Sequence, residues 1–327
     1  MPKNALVDEF CVLVTSAGNK IPLLTALRKS LNEFSNSGRL IGADANPECF
    51  ARYFVDQFLV FPRDDELDVK NLIKLCQEKE INVIIPTRDA ELIFYARHKM
   101  QIEEAGISVF VSSAESIELC VDKLLFADRL KNAGFSQVIE TSKVASDIDS
   151  PSLVVKERFG AGSRKLGGNL TRIEAEIISH KLEQPIYQPW CEGREYSIDL
   201  YRRNKGDVLG GIVRSRDLIV NGESQITTTC VHHTLETLCC AVACRFDIYG
   251  HMVFQAIVDE CGDCHLIECN CRIGGASTLS IAAGLCSFFW FFCEVSGFDP
   301  TQEKPFVRPA ETLRQVRYNA DLIIPWA

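Results

Sequence analysis

The sequence has no run of apolar residues long enough to cross a bilayer. The best candidate, Leu279 to Val295, is interrupted by Gly284 and carries Glu294, whereas a span needs about 20 apolar residues. It reads as a buried helix, with Phe288 to Phe292 packing against neighbours. A secretory signal is missing too, since Met1 to Glu9 is polar and only Phe10 to Val14 follows it as an apolar run. A cytoplasmic location is therefore expected. Basic excess is absent: the net charge is -9, which excludes a general nucleic-acid binder but leaves room for a local basic pocket. No G-x-G-x-x-G follows the first strand, which disfavours a dinucleotide oxidoreductase, and no G-x-x-x-x-G-K-[ST] occurs, which excludes a P-loop. Histidine is sparse. His232 and His233 precede a helix, His251 opens a strand, and none has a spaced partner for a triad or a zinc site, so structural roles are expected. Cysteine is the exception, with fifteen residues. Without an oxidising compartment they read as reduced thiols used as small buried hydrophobes. Cys261-x-x-Cys264 with Cys269 and Cys271 admits a zinc reading, but Cys269 and Cys271 share a strand face that points into the core.

What is present comes in the right amount for two or three subdomains in 327 residues. Phe10–Val14 is a strand, and Pro22 opens a helix with Leu23, Leu24, Leu27, Leu31 and Phe34 at helical spacing. Arg39–Ala43 (strand), Val69–Glu80 (helix), Val83–Ile85 (strand), Ala90–Ala105 (helix) and Ser108–Val111 (strand) follow. This alternation predicts a parallel sheet, whose ligands lie beyond the carboxyl ends of its strands. Those ends carry Thr15, Ser16, Asp44 and Thr87-Arg88-Asp89, with Glu91 close behind. A helix over Ser116–Ala133 carries Asp122-Lys123. The strand Leu153–Lys156 runs into a glycine-rich segment, Glu157 to Gly168, suited to covering a phosphate because glycine lets backbone N–H groups approach closely. A mobile surface hairpin is the alternative.

Ile186 to Leu200 reads as strand, bend, strand. Val208–Arg216 continues the sheet with Arg214 and Arg216 on one face, and Leu235–Arg245 is a helix. His251 to Gly275 then reads as a hairpin, with alternation over Met252–Val258 and Cys264–Arg272. A four-residue loop, Glu260 to Asp263, pairs Asp259 with Cys264 and so sets Gln255 opposite Glu268. Glu268, Asn270 and Arg272 share that face. These hard oxygens suit Mg²⁺ held together with substrate phosphates, and the arginine would face a phosphate or developing oxyanion. A solvent-facing hairpin is the competing reading.

Lys123, Lys156 before the glycine-rich loop, Gln188 to Glu195, and Gln255…Glu268-x-Asn270-x-Arg272 together resemble the ATP-grasp superfamily. The likeness is to the ATP-binding unit of the carbamoyl-phosphate synthase large subunit and to stand-alone carboxylate–amine ligases. It covers nearly the whole chain. It implies an α/β and α+β architecture: a Rossmann-like parallel α/β pre-ATP-grasp domain over residues 1–113, an ATP-grasp small (lid) subdomain over 114–186, and a large C-terminal subdomain over 187–327, with mainly antiparallel sheets. By position it implies that Lys123 and Lys156 hold ATP phosphates and that Gly160, Gly162 and Ser163 belong to the lid loop. Gln188 and Trp190 would lie on the segment that meets adenine, and Glu195 would take the ribose hydroxyls. Gln255, Glu268 and Asn270 would hold the metal, and Arg272 would steady the transferred phosphate. Gln188 and Pro189 stand where many members carry acids, so the expected adenine contacts run through backbone. Only one such unit is present, which argues against carbamoyl phosphate synthesis itself. The implied activity is amide formation through an acyl phosphate, with ATP and Mg²⁺ (Mn²⁺ as an alternative), a small carboxylate and an amine. Candidates on the substrate side are Arg214, Arg216, Ser16, Arg88, Asp89 and Glu91. A bicarbonate-activating enzyme and a non-catalytic nucleotide-binding subunit are the rival readings. No nucleic-acid or membrane partner is expected, and a homodimer is the expectation only because dimers are the commonest oligomers in general.

Overall fold

The computed structural model describes residues 5–63, 66–160, 167–204 and 206–324. Five strands form a parallel sheet in the order β3-β2-β1-β4-β5: β1 (Val7–Thr15), β2 (Ser35–Asp44), β3 (Gln57–Val60), β4 (Val83–Pro86) and β5 (Ser108–Val109). Between them run α1 (Ile21–Phe34), α2 (Val69–Glu78) and α3 (Asp89–Glu104). The strand order reverses at β1 and β4, so the crevice beyond Thr15 and Pro86 is the topological switch point at which such sheets take ligands. The short strand β3 was not anticipated. It holds only four residues at the sheet edge, too few for a period-2 pattern to show.

The helix expected over Ser116–Ala133 is two helices, α4 (Ala114–Val121) and α5 (Lys123–Asn132). The break is Asp122. Its backbone is extended (φ −100°, ψ 97°), and its carboxylate accepts the amides of Leu124 and Leu125, both at 3.1 Å. Asp competes with the helix backbone in this way and so favours caps over helix interiors.

A three-stranded antiparallel sheet follows, in the order β7-β6-β8, from β6 (Leu153–Glu157), β7 (Gly167–Leu170) and β8 (Pro185–Pro189), with α6 (Arg172–Ser179) packed on it. Its small core is Leu153, Val155, Ala175, Leu182 and Tyr187 with Ala145 and Ile148.

The largest sheet is six-stranded and antiparallel, in the order β13-β12-β9-β10-β11-β14. It comprises β9 (Gly193–Arg202), β10 (Val208–Val220), β11 (Glu223–Cys230), β12 (Gly250–Asp259), β13 (Cys264–Asn270) and β14 (Arg314–Val316). One face, with Ile198, Val213, Phe254 and Cys269, packs on α4, α5 and α7 (His233–Arg245) in a core shared with Leu13, Leu92 and Phe126. The other face is divided. Its lower half is covered by α8 (Ser277–Ala282) and α9 (Ser287–Val295), ahead of the short α10 (Pro300–Glu303). Its upper half is left for the cleft. The single helix expected over Leu279–Val295 is split at Gly284, whose φ of +96° only glycine adopts without strain and where a Cβ would meet the Val307 carbonyl oxygen at 2.8 Å. The aromatic packing expected there is present: Phe292 lies against Phe10 and Phe34 at 5.1 and 5.5 Å between ring centroids. Among the described residues no helix is long and apolar enough to cross a membrane.

Candidate active site

The β12–β13 hairpin brings Gln255 opposite Glu268 as expected, but by another route. Val258, not Asp259, pairs with Cys264, so the loop is five residues, Asp259 to Asp263. Continued unbroken, that register would set Glu268 against Phe254 on the core face. Instead one residue, Ile267, is left unpaired between Ala256↔Leu266 and Gln255↔Glu268. Such a bulge re-aims the side chains beyond it. Cys264 and Leu266 before it, and Cys269 and Cys271 after it, all point into the core, while Glu268 and Asn270 turn to the cleft. The outer edge of β13 is held by a backbone bridge: Leu266 N donates to the Gln137 oxygen at 2.7 Å, and Ile139 N donates to the Leu266 oxygen at 2.9 Å.

Gln255 also pairs with Ser197, and Ser197 with Arg214, so Glu268, Gln255, Ser197 and Arg214 form one row across four strands. Glu268 is the centre of the site. Oε1 accepts the Asn270 amide at 3.2 Å, and Oε2 lies 3.9 Å from Lys123 Nζ. Lys123, the first residue of α5, also donates to the Gly160 carbonyl at 2.7 Å. Lys156, from β6, faces the same charges. Burial, helped by the charge of Lys123, lowers its pKa to about 8 against the opposing pull of Glu268 and Glu195. Two lysines share space with two acids here, as in a site where phosphate charge takes over the role of the acids.

The glycine-rich segment is anchored at both stems. Arg158 clamps Asp122 with Nε–Oδ1 at 2.7 Å and Nη2–Oδ2 at 2.5 Å. Burial pushes the Asp122 carboxyl up, but the hydrogen bonds from Arg158 and from the Leu124 and Leu125 amides outweigh it and hold the pKa below the usual value. At the far stem the Trp190 ring lies against Gly168, where a Cβ would come within 2.7 Å of Cζ3. Gly160 adopts φ +98° with open space around it. Gly162 and Ser163 lie outside the described residues. Gln188 is buried and turns its amide to Thr141 Oγ1 at 2.9 Å, so its side chain belongs to the interior, while Trp190 is exposed.

Arg216 lies in the cleft. It donates to Glu195 Oε2 at 2.7 Å, Gln255 Oε1 at 3.1 Å, Ser224 Oγ at 3.0 Å and the Gly222 carbonyl at 2.7 Å. Arg214 turns the other way, to a sealed hub. It donates to Asp199 Oδ2 at 2.7 Å, and Asp199 also takes Ser277, Ser280 at 2.9 Å and His251 at 3.2 Å. Burial opposes the Asp199 charge, yet Arg214 and His251 hold its pKa well below the usual range. His251 reaches on to Ser287 Oγ at 2.8 Å. The Asp–His–Ser connectivity resembles a nucleophilic triad, but all three residues are at most 2% exposed, and the hub joins β9, β10 and β12 to α8 and α9 instead. The row pairing puts Arg214 and Arg216 on one face, and the direction each takes is set by its acid partner.

Arg272 is not aimed at Glu268. Its guanidinium pairs bidentately with Asp89 at the start of α3, Nε–Oδ1 at 2.8 Å and Nη2–Oδ2 at 2.5 Å, and so bridges the large sheet to the switch-point crevice. Glu91 serves the same crevice as a buried capping acid, accepting Thr87 N at 2.7 Å, Arg88 N at 3.0 Å and Ser16 Oγ at 2.9 Å. Burial raises its pKa against these bonds. Two cations absent from the sequence-based candidates join this corner. Lys20, in the loop after β1, has its pKa lowered by burial and by the charge of Arg272. Arg317 pairs with Glu223 at 2.7 Å and lies 2.5 Å from where a Cβ on Gly275 would stand. The position of Lys20 beyond a parallel strand was a usable signal. Arg317 follows a three-residue edge strand and carried none.

The chain matches two family models: the PylC-like N-terminal domain over residues 12–110 and the ATP-grasp in the biosynthetic pathway with Ter operon over residues 181–319. Several solved structures share the fold. The L-amino acid ligase from Bacillus licheniformis superposes with TM-score 0.73 at 16% identity, over 93% of this chain and 79% of that one. The biotin carboxylase domain of Hydrogenobacter thermophilus 2-oxoglutarate carboxylase, in complex with MgADP, ADP and bicarbonate, gives 0.70 at 18%, over 90% and 72%. N5-carboxyaminoimidazole synthetase from Staphylococcus aureus, complexed with ADP, gives 0.70 at 17%, over 90% and 79%. No curated protein matches the sequence.

Proposed function

From an ATP-grasp fold, matched by an ATP-grasp family model over residues 181–319, we propose that the chain is an ATP-dependent ligase that joins a small carboxylate to an amine. The observation that carries this reading is the convergence of Lys123, Lys156, Glu195, Gln255, Glu268 and Asn270 on one cleft, with the Gly160 carbonyl at its edge. The oxygen-only set of Glu268, Asn270 and Gln255 fits a hard divalent cation such as Mg²⁺, with Mn²⁺ as a substitute. When bound, that cation would neutralise phosphate charge.

In this reading Lys123 and Lys156 hold the phosphates of ATP, and Glu195 receives the ribose hydroxyls. The Trp190 segment meets adenine through its backbone. The substrate carboxylate attacks the γ-phosphorus, the bond to the β,γ-bridging oxygen breaks, and ADP leaves. The resulting acyl phosphate is captured by the amine with loss of phosphate. The chain's work is positioning and charge neutralisation. Arg272, held flat by Asp89, would meet the substrate at the crevice, and a closed site would exclude water that hydrolyses the acyl phosphate. The mixture of Lys20, Arg272 and Arg317 with Asp89 and Glu223 in the substrate corner favours an acid that also carries an ammonium group. Bicarbonate would have no use for the acids. Arg216 would hand Glu195 to the nucleotide and Gln255 to the metal and remain as a cationic wall.

The test is ADP release from Mg-ATP across amino acids, other small organic acids and bicarbonate, with and without amines, in wild type and Glu268→Ala. Release that requires an organic acid and an amine, and disappears in the variant, is the expected result. Release stimulated by bicarbonate alone would replace this reading with a carboxylating one. Nucleotide binding without release under any mixture would leave a binding subunit.

A further inference from the structure

Three of the fifteen cysteines meet in one place. Cys120, next to the last residue of α4, and Cys269 and Cys271, which flank Asn270, bring their Sγ atoms within 4.8 Å of one another. None is more than 5% exposed. The zinc pattern visible in the sequence joined Cys269 and Cys271 to Cys261 and Cys264. In the fold Cys261 is exposed at the hairpin loop, and the third thiol comes from a helix far away in the chain. Among the described residues this is the one all-thiol group.

The spacing suits a metal. A metal–thiolate bond of about 2.3 Å in tetrahedral geometry sets sulfurs about 3.8 Å apart, so no pair has more than about 1 Å to close. The donors are soft sulfur throughout, which selects thiophilic ions over the hard cation expected on the opposite face of β13. We propose that Cys120, Cys269 and Cys271 form a trithiolate site for a soft d¹⁰ metal ion, of which Zn²⁺ is the ordinary member. On binding, three S–H groups release protons to solvent, and three metal–sulfur bonds replace bonds to water. No electrons are transferred. The complex carries one net negative charge, which the neighbouring Arg272 favours and Asp89 opposes. The bound ion ties α4, which leads into Lys123, to the strand that presents Glu268 and Asn270, and so fastens the floor of the cleft from behind.

A second group, Cys191, Asp259 and His265, lies at the hairpin loop. It is a poorer ligand set because Asp259 already accepts the amides of Cys261 and Asp263, at 3.0 and 2.9 Å, and the His265 ring at 2.8 Å.

The experiment uses the full chain, reduced and stripped of metal, with Cd²⁺ as the probe. Stoichiometry is read by equilibrium dialysis and thiolate ligation by the ultraviolet sulfur-to-cadmium charge-transfer band. The expected result is one ion per chain, displaced by Zn²⁺, with a rise in the thermal midpoint. Cys120→Ser keeps the side-chain size and removes the soft donor; affinity should fall about tenfold or more, and the thermal shift should vanish. Cys269→Ser serves the same purpose if the first variant does not fold. A Cys191→Ser/His265→Ala variant and a Cys244→Ser/Cys261→Ser variant should bind as wild type does. Binding that survives both Cys120→Ser and Cys269→Ser, binding lost in Cys191→Ser/His265→Ala, or no charge-transfer band in the reduced wild type would each overturn the proposal.

Discussion

Lys156 shows how one side chain can carry the pH response of the whole site. Its pKa, lowered to about 8 chiefly by burial, leaves it charged at neutral pH and uncharged above. A phosphate needs the charged form, so nucleotide affinity should be constant below about pH 7.5 and fall as the pH rises through about 8. Bound phosphate raises the pKa, so the fall belongs to the free protein. Lys156→Arg keeps its charge throughout and should flatten the profile, as read by Mg-ADP titrations from pH 6.5 to 9.5 (about 1.5 units either side of the transition). Asp122 gives a second case, with the opposite sign. Its folded pKa is depressed below an unfolded value of about 3.9, so its stabilisation is complete above that value and is lost as pH falls through the folded one. Asp122→Ala should cost about 1 to 2 kcal/mol at pH 7 through the lost helix cap. The gap between variant and wild type in urea melts should close below about pH 4.

At the scale of elements, the hairpin shows what the sequence could reveal and what it hid. Alternation in Cys264–Arg272 was legible because Glu268, Asn270 and Arg272 stand at even spacing between apolar residues. The bulge was not. Ile267 and the five-residue loop each shift the register by one residue, and the two shifts cancel at Gln255↔Glu268, so a wrong loop length still led to the right pair. The parallel sheet was readable for a similar reason, since β1 and β4 each end in a buried run directly before a helix. Asp122 broke an apparently continuous helix because a capping acid and a helix-surface acid look alike without the amides they accept. Arg214 could not be told from Arg216, since the hub at Asp199 is assembled from α8 and β12, remote in sequence. The bulge itself can be tested by deletion. Removing Ile267 takes away only the surplus residue and leaves Glu268 opposite Gln255, so Mg-ADP binding should persist within about tenfold. Removing Cys269 puts Asn270 beside Glu268 and hence on the core face. Metal-dependent binding should then be lost, as measured by calorimetry with and without Mg²⁺.

For the molecule as a whole, the active cleft belongs to no single sheet. The six-stranded sheet gives Glu195, Gln255, Glu268 and Asn270, the small sheet gives Lys156, and α5 gives Lys123. The parallel domain contributes the Asp89–Arg272 pair, which fixes the guanidinium that follows β13 over the switch-point crevice. Nucleotide and carboxylate would then be presented to each other by two different sheets, and the pair sets their alignment. Asp89→Ala should leave Mg-ADP affinity unchanged, because the lysines and oxygen donors are untouched. It should lower kcat for ligation by about 10- to 100-fold, because Arg272 loses the partner that holds its plane. Asp89→Asn keeps one acceptor and should fall between the two. Residues acting as a unit lose their effect once, so Asp89→Ala combined with Arg272→Ala should be no slower than Arg272→Ala alone. A double variant slowed by the product of the single effects would show that Asp89 acts on the substrate directly and not through the arginine.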